Sequence, residues 1–506
     1  MHALCPSLAI SCSLLAKPIR WIGRSAAALL VVACCVAPAR AQLTVEAITG
    51  GAVDKGPHEA DIKDAIKAFG GLDFEGARAA LTKAKDKTAK LPPVETMLAS
   101  MFLTANERNA ARTELEKATR SYDTDPEAYL RLAELDLIEG RTTSARLLYL
   151  KAGELVKDFS ESPKRKDKMR LDFYKGLAFI EEGLEKWKIA EALLKNWIKI
   201  EPDLGLVHQR LGRVLFKQDR ADDALAEYQT AAQKDERIPP PEISMFMNYH
   251  EARDAKAAGE WLTKATKLKT DRASAELAVS QALYLAGRND EAEAHADKAL
   301  ELEAENAEAL LLRGMIARIK NDDQGAIAYL ERAHAVSPGN GSAINHLAQV
   351  LIEQSTDDSR RRAIEFAEMN YRANQQNLEA IGTLGWVYYR SGRVIEADNM
   401  LRKLMQTGRL TAETAYFLAY IYHDSKRDDA ALKFVDTARD AAKNRPFPYQ
   451  DEVEKLFKEV TSRGPARSAG GADEPGGDAV PRKPAASGGS GGKRPASGGN
   501  RKPPAE

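Results

Sequence analysis

Small side chains recur along most of this chain at a nearly constant spacing of 34 residues, and an alanine follows each of them at a fixed distance. The small series is Ala65, Ala99, Ala133, Ala178, Gly212, Ser280, Gly314, Ala348, Gly385 and Ala419, with Phe246 in its one gap. The alanine series is Ala77, Ala111, Ala145, Ala190, Ala224, Ala258, Ala292, Ala326, Ala363, Ala397 and Ala431. Steps of 45 and 37 residues interrupt the small series, which predicts insertions near residues 156–166 and 355–362. Self-similarity at such a period is typical of stacked repeat architectures.

Each repeating unit carries the pattern of two helices joined by a tight turn. A larger apolar residue lies four positions after most of the series alanines, and a second alanine follows three positions later, as in Ala224, Tyr228 and Ala231. These offsets place one stripe on one face of a helix. Residues that tolerate a left-handed backbone fall seven positions after the small residue, as at Gly140 and Asn106, and they predict the end of the first helix.

This pattern resembles the tetratricopeptide repeat over residues 58–445. The best-matching unit comprises His208, Leu211, Gly212, Leu215, Ala224, Tyr228 and Ala231. A second comprises Ile381, Leu384, Gly385, Tyr388, Gly392 and Ala397. The resemblance implies an all-α fold, a right-handed superhelical solenoid of about eleven helix-turn-helix units.

The segments that flank the array have different compositions. Residues 446–463 carry an apolar stripe, Val453, Leu456, Phe457 and Val460, among charged residues, and predict a helix that caps the array. Residues 464–506 contain 18 Gly and Pro among 43 residues and no aromatic, which predicts a disordered tail. Three basic pairs in this tail suggest attraction to an anionic surface, and a solubilising spacer is the alternative.

The first 41 residues have the pattern of an export signal. Three basic residues precede an apolar run, and Ala39-Arg40-Ala41 has the small-x-small form of a cleavage site, so we predict cleavage before Gln42 and a linker over residues 42–57. A membrane anchor is disfavoured, because the apolar run is shorter than the roughly 20 residues that cross a bilayer. Lipidation at Cys34 is a further alternative. We therefore expect a periplasmic or extracellular protein.

The composition limits the chemistry that this protein can carry out. Of its 506 residues 29% are charged, and the net charge is zero, so the chain lacks the basic excess of a nucleic-acid binder. All four cysteines lie within the first 35 residues, and the chain contains no H-E-x-x-H motif, phosphate loop or dinucleotide fingerprint. We predict no enzymatic activity, no cofactor and no metal, with a hidden enzyme as the alternative.

Pairs of aspartates precede several second helices and are expected to cap them rather than to form acid-base or Mg²⁺ sites. They are Asp222-Asp223, Asp322-Asp323, Asp357-Asp358 and Asp428-Asp429. Lys164-Arg165-Lys166, in the longer insertion, is interpreted as a solvated charged loop, with an anionic docking patch as the alternative.

The resemblance implies that the first helix of each unit lines a concave groove that holds a protein or peptide partner. Residues at positions that would face this groove are Arg213, Phe216, Tyr284, Arg318, Trp386, Tyr389, Arg390, Tyr416 and Tyr420. Large aromatic and arginine side chains are the usual anchors of binding hot spots, and the alternative is that these residues pack between neighbouring first helices. We therefore predict an exported scaffold, and the resemblance implies a role in cell-envelope assembly or secretion. The alternative is a glycan-binding or wall-attached protein that uses the same aromatics and the basic tail.

Overall fold

The structure of this chain is a computed structural model, which describes residues 43–50, 56–443 and 446–462. These residues form 24 helices and no strand. The chain divides into two compact units, with unit 1 comprising Met1–Arg313 and Ala333–Asn340, and unit 2 comprising Gly314–Arg332 and Gly341–Glu506. The predicted export signal, the C-terminal tail, and residues 42 and 51–55 of the predicted linker lie outside the described residues.

Unit 1 holds a short N-terminal helix, seven pairs of helices and parts of the next pair. Its helices are α1 Val45–Thr49, α2 Glu59–Gly70, α3 Phe74–Lys87, α4 Val94–Thr104, α5 Arg108–Ser121, α6 Pro126–Ile138, α7 Thr142–Asp158, α8 Pro163–Gly183, α9 Trp187–Ile200, α10 Gly205–Phe216, α11 Ala221–Lys234, α12 Pro241–Glu251, α13 Ala255–Ala265, α14 Ala273–Leu285 and α15 Asn289–Leu302. The boundary between the units passes through α16 Ala307–Ile319 and α17 Asp323–Val336.

Unit 2 continues the same alternation and ends on a single helix. Its remaining helices are α18 Gly341–Glu353, α19 Asp357–Ala373, α20 Leu378–Arg390, α21 Val394–Gln406, α22 Ala412–Asp424, α23 Asp428–Ala442 and α24 Gln450–Ser462. The predicted fold class, an all-α array of helix-turn-helix units, is confirmed. The number of repeat units stays a prediction.

The two recurring series of small residues form the contact between the helices of each pair. Every member of both series is buried, the small series on first helices and the alanines on second helices. A Cβ built on Gly212 of α10 would lie 2.7 Å from the ring of Tyr228 on α11. One on Gly314 would lie 2.6 Å from Leu330, again sixteen residues along the chain. The period therefore exists because each first helix leaves room for a large side chain of its partner.

The turn within each unit has a left-handed residue at the position that the sequence indicates. Gly140, Gly287 and Gly392 have φ angles between 75° and 79°, and Asn106 and Asn321 have 63° and 58°. Residues without this tolerance adopt the same conformation at the equivalent position of other units. They are Leu72, Glu185, Arg253 and Lys426, and Asp219, which tolerates it better, does so in one further unit. The repeat thus imposes the turn even where the local residue disfavours it.

The acidic pairs lie at the starts of second helices, as expected for capping residues. Asp322 accepts a hydrogen bond from the backbone N–H of Gly325 at 2.9 Å, at the start of α17. The other pairs occupy the first turns of α11, α19 and α23. There they satisfy or complement amide groups that have no partner within the helix.

The longer insertion extends helices rather than forming a charged loop, which corrects the interpretation of Arg165. Helices α7 and α8 reach 17 and 21 residues, and Arg165 lies in the first turn of α8 with only 1% of its surface exposed. Its guanidinium binds Asp125 at 2.9 Å and Glu127 at 2.8 Å. Because these two carboxylates are themselves buried, they hold Arg165 inside the protein.

Candidate functional site

The first helices of unit 2 present a row of aromatic and charged side chains on one face. We call this set the first-helix face of unit 2. It consists of Arg318 on α16, Glu353 on α18, Trp386 and Arg390 on α20, and Tyr416 and Tyr420 on α22. The row exists because these residues lie within five positions of the small residue of their helix, at spacings that keep them beside one another in successive units.

An aromatic cluster fills the centre of this face. The indole of Trp386 stacks on Phe417, with ring centroids 4.7 Å apart and an interplanar angle of 10°. The ring of Tyr420 meets the indole edge-on at 5.2 Å, and that of Tyr416 lies 6.0 Å away. Offset stacking and edge-to-face contacts are the favourable arrangements of aromatic rings. This packing leaves Trp386 fully buried.

Glu353 links the aromatic cluster to a cation. Its carboxylate accepts a hydrogen bond from the indole N–H of Trp386 at 3.0 Å and pairs with Arg390 at 2.8 Å. The guanidinium of Arg390 also lies 5.2 Å from the centroid of the indole. Burial raises the pKa of Glu353, and the charge of Arg390 opposes that rise. The three groups therefore form one connected arrangement of a buried ring, a carboxylate and an exposed cation.

A second polar chain runs from α16 through α18 to α20. Arg318 donates to the side-chain oxygen of Gln349 at 2.9 Å and contacts Nδ1 of His346 at 2.6 Å. The amide of Gln349 donates in turn to the hydroxyl of Thr383 at 2.9 Å. Arg318 is 7% exposed and Gln349 is 4% exposed, so this chain fixes the positions of buried polar groups.

Tyr449, just before α24, packs against the same face. Its ring stacks on Tyr416 at 4.8 Å with an interplanar angle of 21°, and it meets Phe417 edge-on at 5.5 Å. The guanidinium of Arg318 lies 5.3 Å from the centroid of the Tyr449 ring. The Tyr449 side chain thus contacts residues of both α16 and α22, the two helices at the ends of this face. The sequence pattern predicts residue 449 only as part of the capping segment, and it gives no signal for this contact.

Unit 1 carries a smaller set of the predicted residues. Phe216 on α10 meets Tyr249 on α12 edge-on at 4.8 Å. Glu251 pairs with Arg213 at 3.3 Å and with Lys217 at 3.0 Å. Arg213 and Phe216 are both half-buried. This patch therefore combines a partly exposed ring with cations already paired to a carboxylate.

Five of the nine predicted groove residues are buried. Trp386, Tyr389 and Tyr416 are at most 5% exposed, and Tyr284 and Arg318 are also buried. Aromatic rings of neighbouring helices cover Trp386 and Tyr416, and Tyr389 donates its hydroxyl to Asp424. These five side chains therefore pack within the protein, which agrees with the alternative of packing between neighbouring helices.

Two other predicted residues keep an accessible surface, besides Arg213 and Phe216. Tyr420 is half-buried, and Arg390 is exposed. No contact with a partner tests the predicted role of any of the nine residues, so that role stays a prediction.

Metal binding and membrane insertion were both without a candidate in the described part of the chain. In residues 43–50, 56–443 and 446–462, no group of three or more His, Cys, Asp or Glu side chains could hold a metal ion. Nor does that part of the chain contain a helix with the length and apolar character needed to span a membrane.

Comparisons with known proteins agree with the repeat pattern. The family described as "Tetratricopeptide repeat" matches residues 96–155 and 277–340. This chain is a tetratricopeptide-repeat protein. The TPR repeat-containing protein PA4667 of Pseudomonas aeruginosa is 25% identical over 200 residues, 39% of this chain. The match spans 33% of that relative's length.

Solved structures of similar helical arrangement come from varied sources. Yeast Tom70 is 14% identical, covering 81% of this chain and 97% of its own, with a TM-score of 0.35. Cut9, described in a hetero-tetramer of the APC/C with Hcn1, is matched at 12% identity, with 83% and 99% covered and a TM-score of 0.38. Pseudomonas aeruginosa pilF is matched at 16% identity, with 44% and 96% covered and a TM-score of 0.31. At these scores no functional comparison follows for this tetratricopeptide-repeat protein.

Proposed function

We propose that this tetratricopeptide-repeat protein is a scaffold without catalytic activity that binds a protein partner on the first-helix faces of its units. The observation that carries the proposal is the arrangement on unit 2. There, Tyr420 and Arg390 keep accessible surface above a rigid bed formed by Trp386 and Phe417. Aromatic and arginine side chains that are held in place by neighbours lose little entropy when they bind, which suits them as anchors.

We further propose that the protein is exported and acts in the periplasm or at the cell surface, in envelope assembly or secretion. The support is the pattern of residues 1–41, in which a basic start, an apolar run and Ala39-Arg40-Ala41 follow one another. Removal of this segment would leave a chain without cysteine, which suits an oxidising compartment. N-terminal sequencing of the protein from its own cells tests this. A start at Gln42 supports cleavage, and an acylated Cys34 or an intact Met1 contradicts it.

A glycan-binding function is less well supported by the geometry. Stacking of a sugar ring needs an open aromatic face, and the indole of Trp386, the largest ring of the set, is covered by Phe417 and is 0% exposed. We therefore favour a protein partner.

Site-specific photocrosslinking in intact cells tests the proposed binding surface. A photoreactive phenylalanine analogue replaces Phe216 or Tyr420, both half-buried aromatics on first helices. Matched controls replace Leu147 and Ile395, which lie on second helices and are 62% and 67% exposed. We expect protein adducts from Phe216 and Tyr420 and none from the control positions. Adducts from the second-helix positions alone, or from none of the four, would contradict the proposal.

A further inference from the structure

The ring of Tyr449 lies in a position that is formed by helices of distant repeats within unit 2. It lies between Arg318 of α16 and the paired rings of Tyr416 and Phe417 of α22, although 131 residues separate Arg318 from Tyr449 in the chain. The side chain is 6% exposed, and Phe447 in the same segment is 3% exposed. A short non-helical segment of this chain is therefore seated on the first-helix face of unit 2.

The capping helix α24 has its own contacts and does not depend on this ring. Its apolar stripe, Val453, Leu456 and Val460, is buried. Glu454 accepts a hydrogen bond from Arg439 at 2.8 Å, and the Arg439 guanidinium lies 4.0 Å from the centroid of the Phe457 ring. The cap thus keeps contacts of its own when the Tyr449 ring leaves its position, while the carbonyl of Tyr449 still accepts a hydrogen bond from the N–H of Val453 at 3.0 Å.

The surroundings of Tyr449 accommodate its aromatic ring better than they accommodate its hydroxyl group. The hydroxyl of Tyr449 is buried and makes no hydrogen bond of good geometry in the described part of the chain, although the neighbouring Arg318 opposes the rise that burial causes in its pKa. A buried hydroxyl without a partner destabilises the arrangement that buries it. The aromatic contacts of Tyr449 therefore stabilise its side chain in this position, and its buried hydroxyl group destabilises it.

We propose that the first-helix face of unit 2 binds an aromatic side chain of a protein partner in the position that Tyr449 fills, and that Tyr449 is its resident, displaceable occupant. The partner presents this side chain from a short non-helical segment, as Tyr449 is presented from the turn that precedes α24, and phenylalanine is preferred to tyrosine because it has no hydroxyl to bury. This inference rests on the proposed function and names the chemistry of the partner.

Hydroxyl-radical footprinting of the full chain, read by mass spectrometry, tests whether Tyr449 is displaceable. In Tyr449→Ala, we expect oxidation of Tyr416 to become about threefold faster or more, because that ring loses its stacked neighbour and regains contact with water. In Tyr449→Phe, the rate should stay at that of the wild type. Tyr422 serves as the internal control, since it is on the same helix α22, is 4% exposed and stacks on Phe434 of the second helix.

Each outcome of this experiment decides the question. Faster oxidation of Tyr416 with an unchanged rate at Tyr422 supports a displaceable occupant. Faster oxidation of both shows that Tyr449 is an indispensable part of the fold, and no change at Tyr416 shows that Tyr449 does not cover the face. Either of the last two results overturns the proposal.

A synthetic peptide of residues 446–452 then tests the chemistry of the partner. Added to the Tyr449→Ala chain, it should return the oxidation rate of Tyr416 toward the wild-type value. The same peptide with phenylalanine in place of tyrosine should protect at an equal or lower concentration, and that with alanine should not protect. Equal protection by all three peptides, or protection by none, would contradict the inference.

The two proposals fail in distinguishable ways. Crosslinks from Tyr420 in cells without any effect of Tyr449 on the footprint would leave the scaffold function standing and remove this inference. Protection by the aromatic peptides without any crosslink in cells would support an aromatic-binding position on this face and remove the proposed scaffold function.

Discussion

The close approach of paired helices makes a matched pair of glycine substitutions informative. Gly212 lies inside α10, and a Cβ added there would meet three atoms of the Tyr228 ring at 2.7, 2.8 and 3.0 Å. Gly259 lies inside α13 of the same unit, and a Cβ added there would meet nothing within 4 Å. Replacing each glycine by alanine makes the same change in helix propensity, so the difference between the variants isolates the contact.

The magnitudes follow from two opposing effects. Alanine in place of glycine inside a helix stabilises it by about 1 kcal/mol, which is the whole effect expected for Gly259→Ala. In Gly212→Ala the added methyl must displace Tyr228, whose hydroxyl accepts a hydrogen bond from Asn248 at 2.6 Å and whose ring is 3% exposed. Overpacking of this kind costs about 1–3 kcal/mol. We therefore expect Gly212→Ala to be less stable than Gly259→Ala by about 1–3 kcal/mol.

Hydrogen exchange read by mass spectrometry measures this difference locally. Repeat arrays can open segment by segment, so a single melting temperature does not suffice. We expect faster exchange in α10 and α11 of Gly212→Ala and slower exchange in α13 of Gly259→Ala. If α10 and α11 of Gly212→Ala are protected from hydrogen exchange as well as α13 of Gly259→Ala, the small series does not reflect close packing.

Three further predictions concern the turn, the pH response and the buried hydroxyl. Leu72 is 76% exposed at a φ of 62°. Leu72→Gly should therefore stabilise the first pair of helices by about 0.5–1 kcal/mol in thermal unfolding. Gly140 has a φ of 77°, and Gly140→Ala should destabilise its own pair of helices, because alanine disfavours this backbone conformation. Burial opposes the charge of Glu191, yet hydrogen bonds from its neighbours, first from Lys195, outweigh it and lower the pKa of Glu191 to about 2. Its charged form therefore stabilises the fold above pH 4.5, and this contribution is lost as the pH falls toward 2. Urea unfolding of Glu191→Gln should depend less on pH over that range than that of the wild type, and an equal dependence would refute the assignment. Tyr449→Phe should leave the free energy of unfolding unchanged or raise it by up to about 1 kcal/mol, and a loss of stability would show that the hydroxyl has a partner.

The repeat architecture could be predicted because one local rule applies in every unit. A small residue on the first helix, an alanine on the second and a left-handed residue between them are visible as spacings, and steric contact requires them at each step. The same rule explains why Leu72 and Lys426 adopt a glycine-like turn that their own identity would not predict. In these units the packing on both sides fixes the turn.

The candidate site could be predicted only as a set of positions. Spacing places Trp386 and Tyr416 on the same face of successive first helices, but it cannot tell whether a neighbouring ring covers them, since that depends on contacts between helices 30 or more residues apart. Tyr449 lies outside the period altogether, and Arg165 is buried by carboxylates on another helix. Contacts of this kind leave no signal in local spacing.

The most direct test of the account compares the crosslinking yield from position 420 in cells that express the otherwise wild-type chain with that in cells that express the Tyr449→Ala chain. If the first-helix face of unit 2 binds an aromatic segment of a protein partner, the same adduct should form in both, with the higher yield in Tyr449→Ala and none from position 395. Equal or lower yield after removal of Tyr449, or an adduct that forms equally from position 395, would contradict it.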